Sequence, residues 1–414
     1  MNLLRQMEQA VLEQGREWTR RRLEKQLQAA SDALKAVCPQ TGQGLRETRW
    51  RDLQLTTVVG VVKLRVRHGY SAGLGQWVCP ARAAWGLGAY QRVSPELEAR
   101  LCYTATEVDS YERAAKMAKR WGSPVSDDLI HQHVQQRGQA ALEMELPLPS
   151  PGMAQPRFSL VIMMDGWMAR ERGPDWGASA RRKAAERVKW HEVKSAVIYR
   201  LEQQVKKESG RGLLLEKYIV ACPPETAPVD FGAAVQAEAR RRGLGRARYV
   251  YLVMDGAVWL WDLAEDRFAN AIKTLDFHHA SQHLWAVGHA LYGEGTDQAK
   301  EWVEKLLHGL RHGQESRVVR RLEELLESSA QRPAEVQKVV EGEVNYFRNH
   351  RDHLHYQAVA KAGAPIGSGA VESLGVQLQE RFRGCGQFWQ RPGISHLLRL
   401  VTLVRNQDDC HLWN

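Results

Sequence analysis

The chain has 414 residues, with 58 Lys and Arg against 48 Asp and Glu, a formal net charge of +10 and 43% hydrophobic residues. That length supports two or three domains with a sizeable core, and the basic balance favours a polyanionic partner. Six cysteines (Cys38, Cys79, Cys102, Cys222, Cys385 and Cys410) lack CxxC spacing, so neither a disulfide framework nor a cysteine zinc site is legible. The N-terminus lacks a long apolar segment and no apolar run is long enough for a bilayer, so the expectation is a cytoplasmic protein with no membrane partner.

In chain order, residues 1–45 are expected to form an N-terminal helix, with Leu4, Met7, Val11, Trp18, Leu23 and Leu27 on a roughly helical period. Residues 46–95 read as a small β-rich module. There Val62, Leu64 and Val66 alternate with Lys63, Arg65 and Arg67, the pattern of a strand with one basic face. That face suits either a phosphate backbone or plain solvent.

Residues 96–145 are helical: a helix from Tyr111 to Trp121, a turn at Gly122, Ser123 and Pro124, then Ser126 as N-cap of a second helix from Asp127 to Gln136. This is a helix-turn-helix outline, whose second helix would bring Ser126 and His131 to DNA; an ordinary helical hairpin has the same spacing. The Pro-rich stretch 146–156 reads as a linker.

Residues 157–290 change character. The runs "RFSLVIMMDGW", "VKWHEVKSAVIYRL" and "GLLLEKYIVACP" predict three strands, "DFGAAVQAEARRRG" a helix, and "RYVYLVMDGAVWLW" a buried strand. "LAEDRFAN" then predicts a short helix, "AIKTLDF" a fifth strand and "HHASQHLWAVGHAL" a helix. Three strands, helix, strand, helix, strand is the order of a ribonuclease-H-like α/β fold. Residues 291–355 are charge-rich and helical, an all-helical insertion, and 356–414 return to the core.

The segments "VIMMDGW" and "YLVMDGA" each put an aspartate, Asp165 and Asp255, at a predicted strand end, where ligands gather in open sheets. Asp-Gly is also a common turn pair. Paired carboxylates repel unless a cation lies between them, and hard oxygen ligands suit Mg²⁺ or Mn²⁺. A third acid would complete a two-metal site, with ions about 3.5–4 Å apart, for phosphodiester displacement. Glu372 is the candidate, because "PIGSGAVES" turns tightly into a helix that presents it from the first turn. A first-turn glutamate is also favoured by the helix dipole alone.

The stretch "MDGAVWLWDLAEDRFANAIKTLDFHHASQHL", followed after a helical segment by "GAPIGSGAVESLGVQLQERFRGCGQFW", resembles the ISKra-type family of bacterial insertion-sequence transposases. These are similar to the wider Mutator-like transposases with a DDE active site. The resemblance spans about 160 to 405 and, in order, 45 to 150. It implies a ribonuclease-H-like catalytic domain interrupted by helices, with Asp165, Asp255 and Glu372 as the catalytic and metal-holding acids. It further implies that Asp276 and His279 fill an auxiliary Asp-x-x-His slot beside the site, although Asp276 also competes with Asp255 as second acid.

The same resemblance implies that the protein binds double-stranded DNA, at element ends and target, and works as a homodimer or higher oligomer, nucleoid-associated when bound. Many members carry paired cysteines after the N-terminal strand; here only Cys79 stands in that region, so a zinc module there is not implied. His279 and His283, four apart, share a helix face, but no third zinc ligand is evident. Arg381 and Arg383 are expected at DNA phosphates, and Trp389 in the core or stacked on a base. The basic run from Arg181 to Lys194 reads as a solvated face. Two alternatives use the same sequence: a transposon-derived DNA-binding protein without catalysis, and a metal-dependent nuclease without strand transfer.

Overall fold

The computed structural model describes residues 2–148, 157–177, 187–208, 212–328 and 332–413. Most of the predicted linker, and the first part of the basic run, residues 181–186, lie outside these. The chain forms two compact units, Met1–Met144 with Asp409–Asn414, and Glu145–Asp408. The last residues thus join the first unit, where the sequence placed them in the core.

In the first unit, helix α1 (Leu3–Ala33) is followed by strands β1 (Arg46–Thr57), β2 (Gly60–Ser71) and β3 (Gln76–Val78) in an antiparallel sheet of order β1-β2-β3. Leu53, Leu55, Val62, Leu64 and Val66 form its buried face, and Leu23 and Leu27 of α1 pack on it. The earlier apolar residues of α1, Leu4, Met7, Val11 and Trp18, stand exposed, so only its second half carries the expected covered face. Short α2 (Pro80–Ala84) leads to α3 (Pro95–Glu107), α4 (Tyr111–Arg120) and α5 (Asp127–Glu143). Ser126 caps α5 by accepting from Leu129 N at 3.2 Å. Buried Glu98 of α3 ties that helix to α5 through His133 Nδ1 and Arg137 Nε, each at 2.8 Å. The final α15 (Cys410–Trp413) also belongs to this unit, with Arg137 stacked over Trp413.

The second unit is built on a mixed five-stranded sheet. Its strands are β4 (Ser159–Arg172), β5 (Val188–Arg200), β8 (Tyr218–Cys222), β9 (Tyr249–Met254) and β10 (Ile272–Leu275), in the order β10-β9-β4-β5-β8. β4, β9 and β10 run parallel, while β5 pairs antiparallel with both β4 and β8. Leu160 to Met164 are all buried, as expected of a central strand covered on both faces. The mixed sheet and its flanking helices are compatible with the α/β order predicted from the sequence.

Three details differ. "GLLLEKYIVACP" is split: β7 (Gly212–Leu214) forms a hairpin with β6 (Gln204–Lys206), and only Tyr218–Cys222 joins the main sheet. The strand predicted through Trp261 stops at Met254, because "VWLW" opens helix α7 (Val258–Arg267), where Leu260 and Trp261 bury against the core. Four apolar residues in a row fit a buried helix as well as a strand. Lastly, β4 does not end at Asp165 but continues to Arg172, paired throughout with β5.

Helices α6 (Pro228–Arg241), α8 (Phe277–Tyr292), α9 (Asp297–Arg311), α10 (Glu315–Ser328), α11 (Ala334–Asn349), α12 (Tyr356–Lys361), α13 (Gly369–Phe382) and α14 (Arg391–Arg405) complete the unit. The inserted helices share one apolar cluster with the sheet: Leu306, Leu322, Val344 and Phe347 are continuous with Leu284, Leu252 and Leu275. None of the described helices is long and apolar enough to cross a membrane.

Candidate active site

The parallel pairing of β4, β9 and β10 stops at one level. Met164 is the last residue of β4 to pair with β9, opposite Met254, and Met254 is also opposite Leu275 of β10. The next residues are Asp165, Asp255 and Asp276. Neighbouring strands lie about 4.8 Å apart, so the register alone sets three carboxylates in a row along the carboxyl ends of the parallel strands. Asp165 therefore marks where β4 leaves β9, though not where β4 itself ends.

Of the two Asp-Gly pairs, only the second lies at a turn. A Cβ on Gly166 would come within 2.2 Å of Glu192 Oε1, and one on Gly256 within 2.3 Å of the Tyr346 ring. Neither glycine has a positive φ. Asp255 caps the turn into α7, accepting from Ala257 N at 2.9 Å, and its carbonyl accepts from Trp261 Nε1 at 2.9 Å. Asp165 Oδ1 accepts from Gly166 N at 2.7 Å.

Glu372 reaches this level through Ser368. Phe277 N donates to Ile366 O at 2.9 Å and Ser368 N to Asp276 Oδ2 at 3.0 Å, which pins the turn before α13 onto the end of β10. The Ser368 hydroxyl contacts the Asp276 carboxylate and, at 2.6 Å, Glu372 Oε1. A hydroxyl has one proton, so it donates to only one of these carboxylates. The glycine-rich stretch is thus a pinned turn.

Asp276, His279 and Glu372 each place one ligand atom within 4.8 Å of the others. This cluster, with Asp276 buried, could hold a metal ion. Burial pushes the Asp165 carboxyl up to about 6, against the help of the Gly166 N–H. Asp255 and Glu372 push it further, while His279 opposes them. Asp165 thus feels both other acids and the histidine. The donor set is mainly carboxylate oxygen, which fits Mg²⁺ or Mn²⁺ better than a soft metal. Asp276 already accepts from His278 N at 2.5 Å and from Ser368 N, so much of its capacity is spent inside the protein.

His283 is turned away from His279 to Glu343 of α11, at 2.5 Å, and stacks on Tyr346 with ring centroids 3.6 Å apart. Tyr346 Oη is buried without a hydrogen-bond partner. Nothing in the sequence pattern singles out Ser368, Glu343 or Tyr346; the signal is spatial, since α11 is far from both aspartates in the chain.

The remaining expected residues fall elsewhere. Arg381 is buried, 6% exposed, with its guanidinium 5.4 Å from the Trp389 ring, so it packs inside the unit. Trp389 is itself buried, its Nε1 donating to Phe382 O at 2.8 Å. Arg383 is half-buried and lies 5.0 Å from the Trp190 ring. In the first unit Ser126 and His131 are exposed, and His131 meets the Tyr111 ring edge-on.

No family model matches the chain, and no curated protein matches it. Among solved structures, the Drosophila P element transposase strand transfer complex is similar at a TM-score of 0.37 and 10% sequence identity, over 76% of this chain and 93% of that chain.

Proposed function

We propose that the chain is a DNA transposase whose Glu145–Asp408 unit is a ribonuclease-H-like core with a DDE triad of Asp165, Asp255 and Glu372. The observation that supports this most is the common level of the acids: two follow the Met164–Met254 pair directly, Ser368 ties Glu372 to Asp276 at the end of the neighbouring strand, and Asp165 feels the charge of both Asp255 and Glu372. Mg²⁺ or Mn²⁺, when bound, would supply a Lewis acid that polarises a phosphodiester toward in-line attack by water or a 3′-hydroxyl.

The protein's own residues have separate tasks. Asp165, Asp255 and Glu372 supply the negative charge that retains the cation. Asp276 acts as a positioning residue: its carboxylate holds the Ser368 turn and, by capping α8, sets His279 near the acids. His279 offsets part of the repulsion felt by Asp165. The helix opening at Ser126, with His131, is assigned to duplex DNA, and the assembly on DNA to a homodimer or larger oligomer.

The test is incubation of the purified chain, with Mg²⁺ or Mn²⁺, with DNA carrying the flanks of its own gene. Cleavage leaving 3′-hydroxyl ends, followed by joining to a second DNA, is the expected result. Binding without cleavage in either metal would favour a silent DNA-binding protein, and cleavage without joining a nuclease.

A further inference from the structure

The β1–β2 ribbon carries charge that nothing in its own unit uses. Residues Arg46 to Asp52 of β1 are exposed without exception, and burial begins only at Leu53. Opposite this stretch β2 is partly covered, with Val66, Gly69 and Ser71 buried, so the exposed element is β1. Across β1 and β2 stand six cations, Arg46, Arg49, Arg51, Lys63, Arg65 and Arg67, against two carboxylates, Glu47 and Asp52. Among the described residues none of the six has an acidic partner within ion-pair distance, whereas Arg20 and Arg21 of the adjacent α1 are paired with Glu17 and Glu24.

Unneutralised cations held together repel, so the fold gains nothing from this arrangement alone. His68 records the local field: burial first, then Arg51, Arg82 and Arg49, hold it below its ordinary pKa.

The cations lie on both faces. Arg49 and Arg51 share the side of Leu53 by strand alternation, while Arg65 and Arg67, opposite Asp52 and Trp50, point to the other. Two guanidiniums lie over rings: Arg49 is 3.9 Å from the centroid of Trp77, and Arg67 5.0 Å from that of Trp50. Both tryptophans remain 39–41% exposed. Aromatic support of this kind reduces the freedom an arginine loses on binding.

We propose that this ribbon is a duplex-DNA docking surface, with β1 laid along the phosphate backbone, since the other edge of β2 is taken by β3 and by Glu24 and Gln28 of α1. The exposed part of β1 covers about 23 Å at roughly 3.3 Å per residue, close to seven base pairs. Basic residues along that length suit a run of phosphates. The choice of duplex rests on the DNA-handling function proposed above, and the ribbon is a separate contact from the helix that opens at Ser126.

The test measures affinity of the full chain for a duplex, without divalent metal, over a salt series. The variant Arg49→Ala/Arg51→Ala/Arg65→Ala/Arg67→Ala is compared with its all-lysine counterpart, and circular dichroism checks that both fold. The alanine variant should lose at least tenfold in affinity, with the log–log salt slope shallower by about 3–4, as for four lost phosphate contacts. The lysine variant should keep most of the slope. An unchanged slope in a folded alanine variant overturns the proposal, as does a change in sedimenting mass without a change in DNA affinity, which would make the ribbon an interface between copies. Absence of DNA cleavage with ribbon-dependent binding retained would count against the catalytic function only; intact cleavage with unchanged binding in the alanine variant would count against the ribbon only.

Discussion

Replacing Asp165 with asparagine keeps its shape and removes the charge that its surroundings oppose. Burial, with Asp255 and Glu372, raises this carboxyl from 3.8 to about 6. The sign follows from linkage: below 3.8 the group is protonated folded or unfolded and costs nothing. Between 3.8 and about 6 the unfolded chain releases its proton first, so folded stability falls as pH rises, and above about 6 the full penalty stands. At 1.36 kcal/mol per pH unit, that penalty is about 3 kcal/mol. Asp165→Asn should therefore be more stable than the natural chain at neutral pH, by up to about 3 kcal/mol, with the gap closing toward roughly pH 4. Urea denaturation followed by tryptophan fluorescence, in chelator and at a series of pH values, measures it. Millimolar Mg²⁺ should stabilise the natural chain and do less for the variant. A variant no more stable at neutral pH, or a gap independent of pH, would refute the electrostatic account of the cluster.

Other substitutions probe the supports of the site. Gly256→Ala drives a methyl into the Tyr346 ring and should cost about 1–3 kcal/mol in urea denaturation. Ser368→Ala frees Glu372 from its hydroxyl partner and should lower metal-dependent cleavage by about 10–100-fold, the usual effect of losing a residue that orients a metal ligand, while leaving the fold stable. In the first unit, burial raises the Glu98 carboxyl but hydrogen bonds from His133 and Arg137 outweigh it, leaving it below 4.5. Its stability is present above that value and is lost as pH falls through the lower folded-state value. Glu98→Gln should cost about 2–3 kcal/mol at neutral pH and flatten the acid limb of the unfolding curve.

The succession of strands and helices in the second unit was readable because each strand of the main sheet contains an apolar run and the runs are separated by turn residues or helical periods. Where apolar residues ran on without a break, as in "AVWLW", period could not tell a buried helix from a strand, and packing of Leu260 and Trp261 decided it. Asp165 and Asp255 were legible as acids after buried runs, but their common level depends on pairing between β4 and β9, which a single sequence does not display. Asp-Gly looked like turn chemistry; at Gly256 the Tyr346 ring also presses on the turn into α7, whereas Gly166 lies within a strand and meets only the flexible end of Glu192. The part of Ser368 was hidden because a serine before a helix ordinarily caps it, and here its hydroxyl is diverted to two carboxylates. Arg381 shows the opposite error, a surface residue by composition that the fold buries beside Trp389.

If Asp165, Asp255 and Glu372 together hold a divalent cation, titration of Mn²⁺, followed by its electron paramagnetic resonance signal, into the natural chain and into Asp165→Asn, Asp255→Asn and Glu372→Gln will show it. Saturable binding by the natural chain, weakened at least tenfold in each variant, is the predicted result. Equal binding in all four proteins, or none in the natural chain, would contradict it.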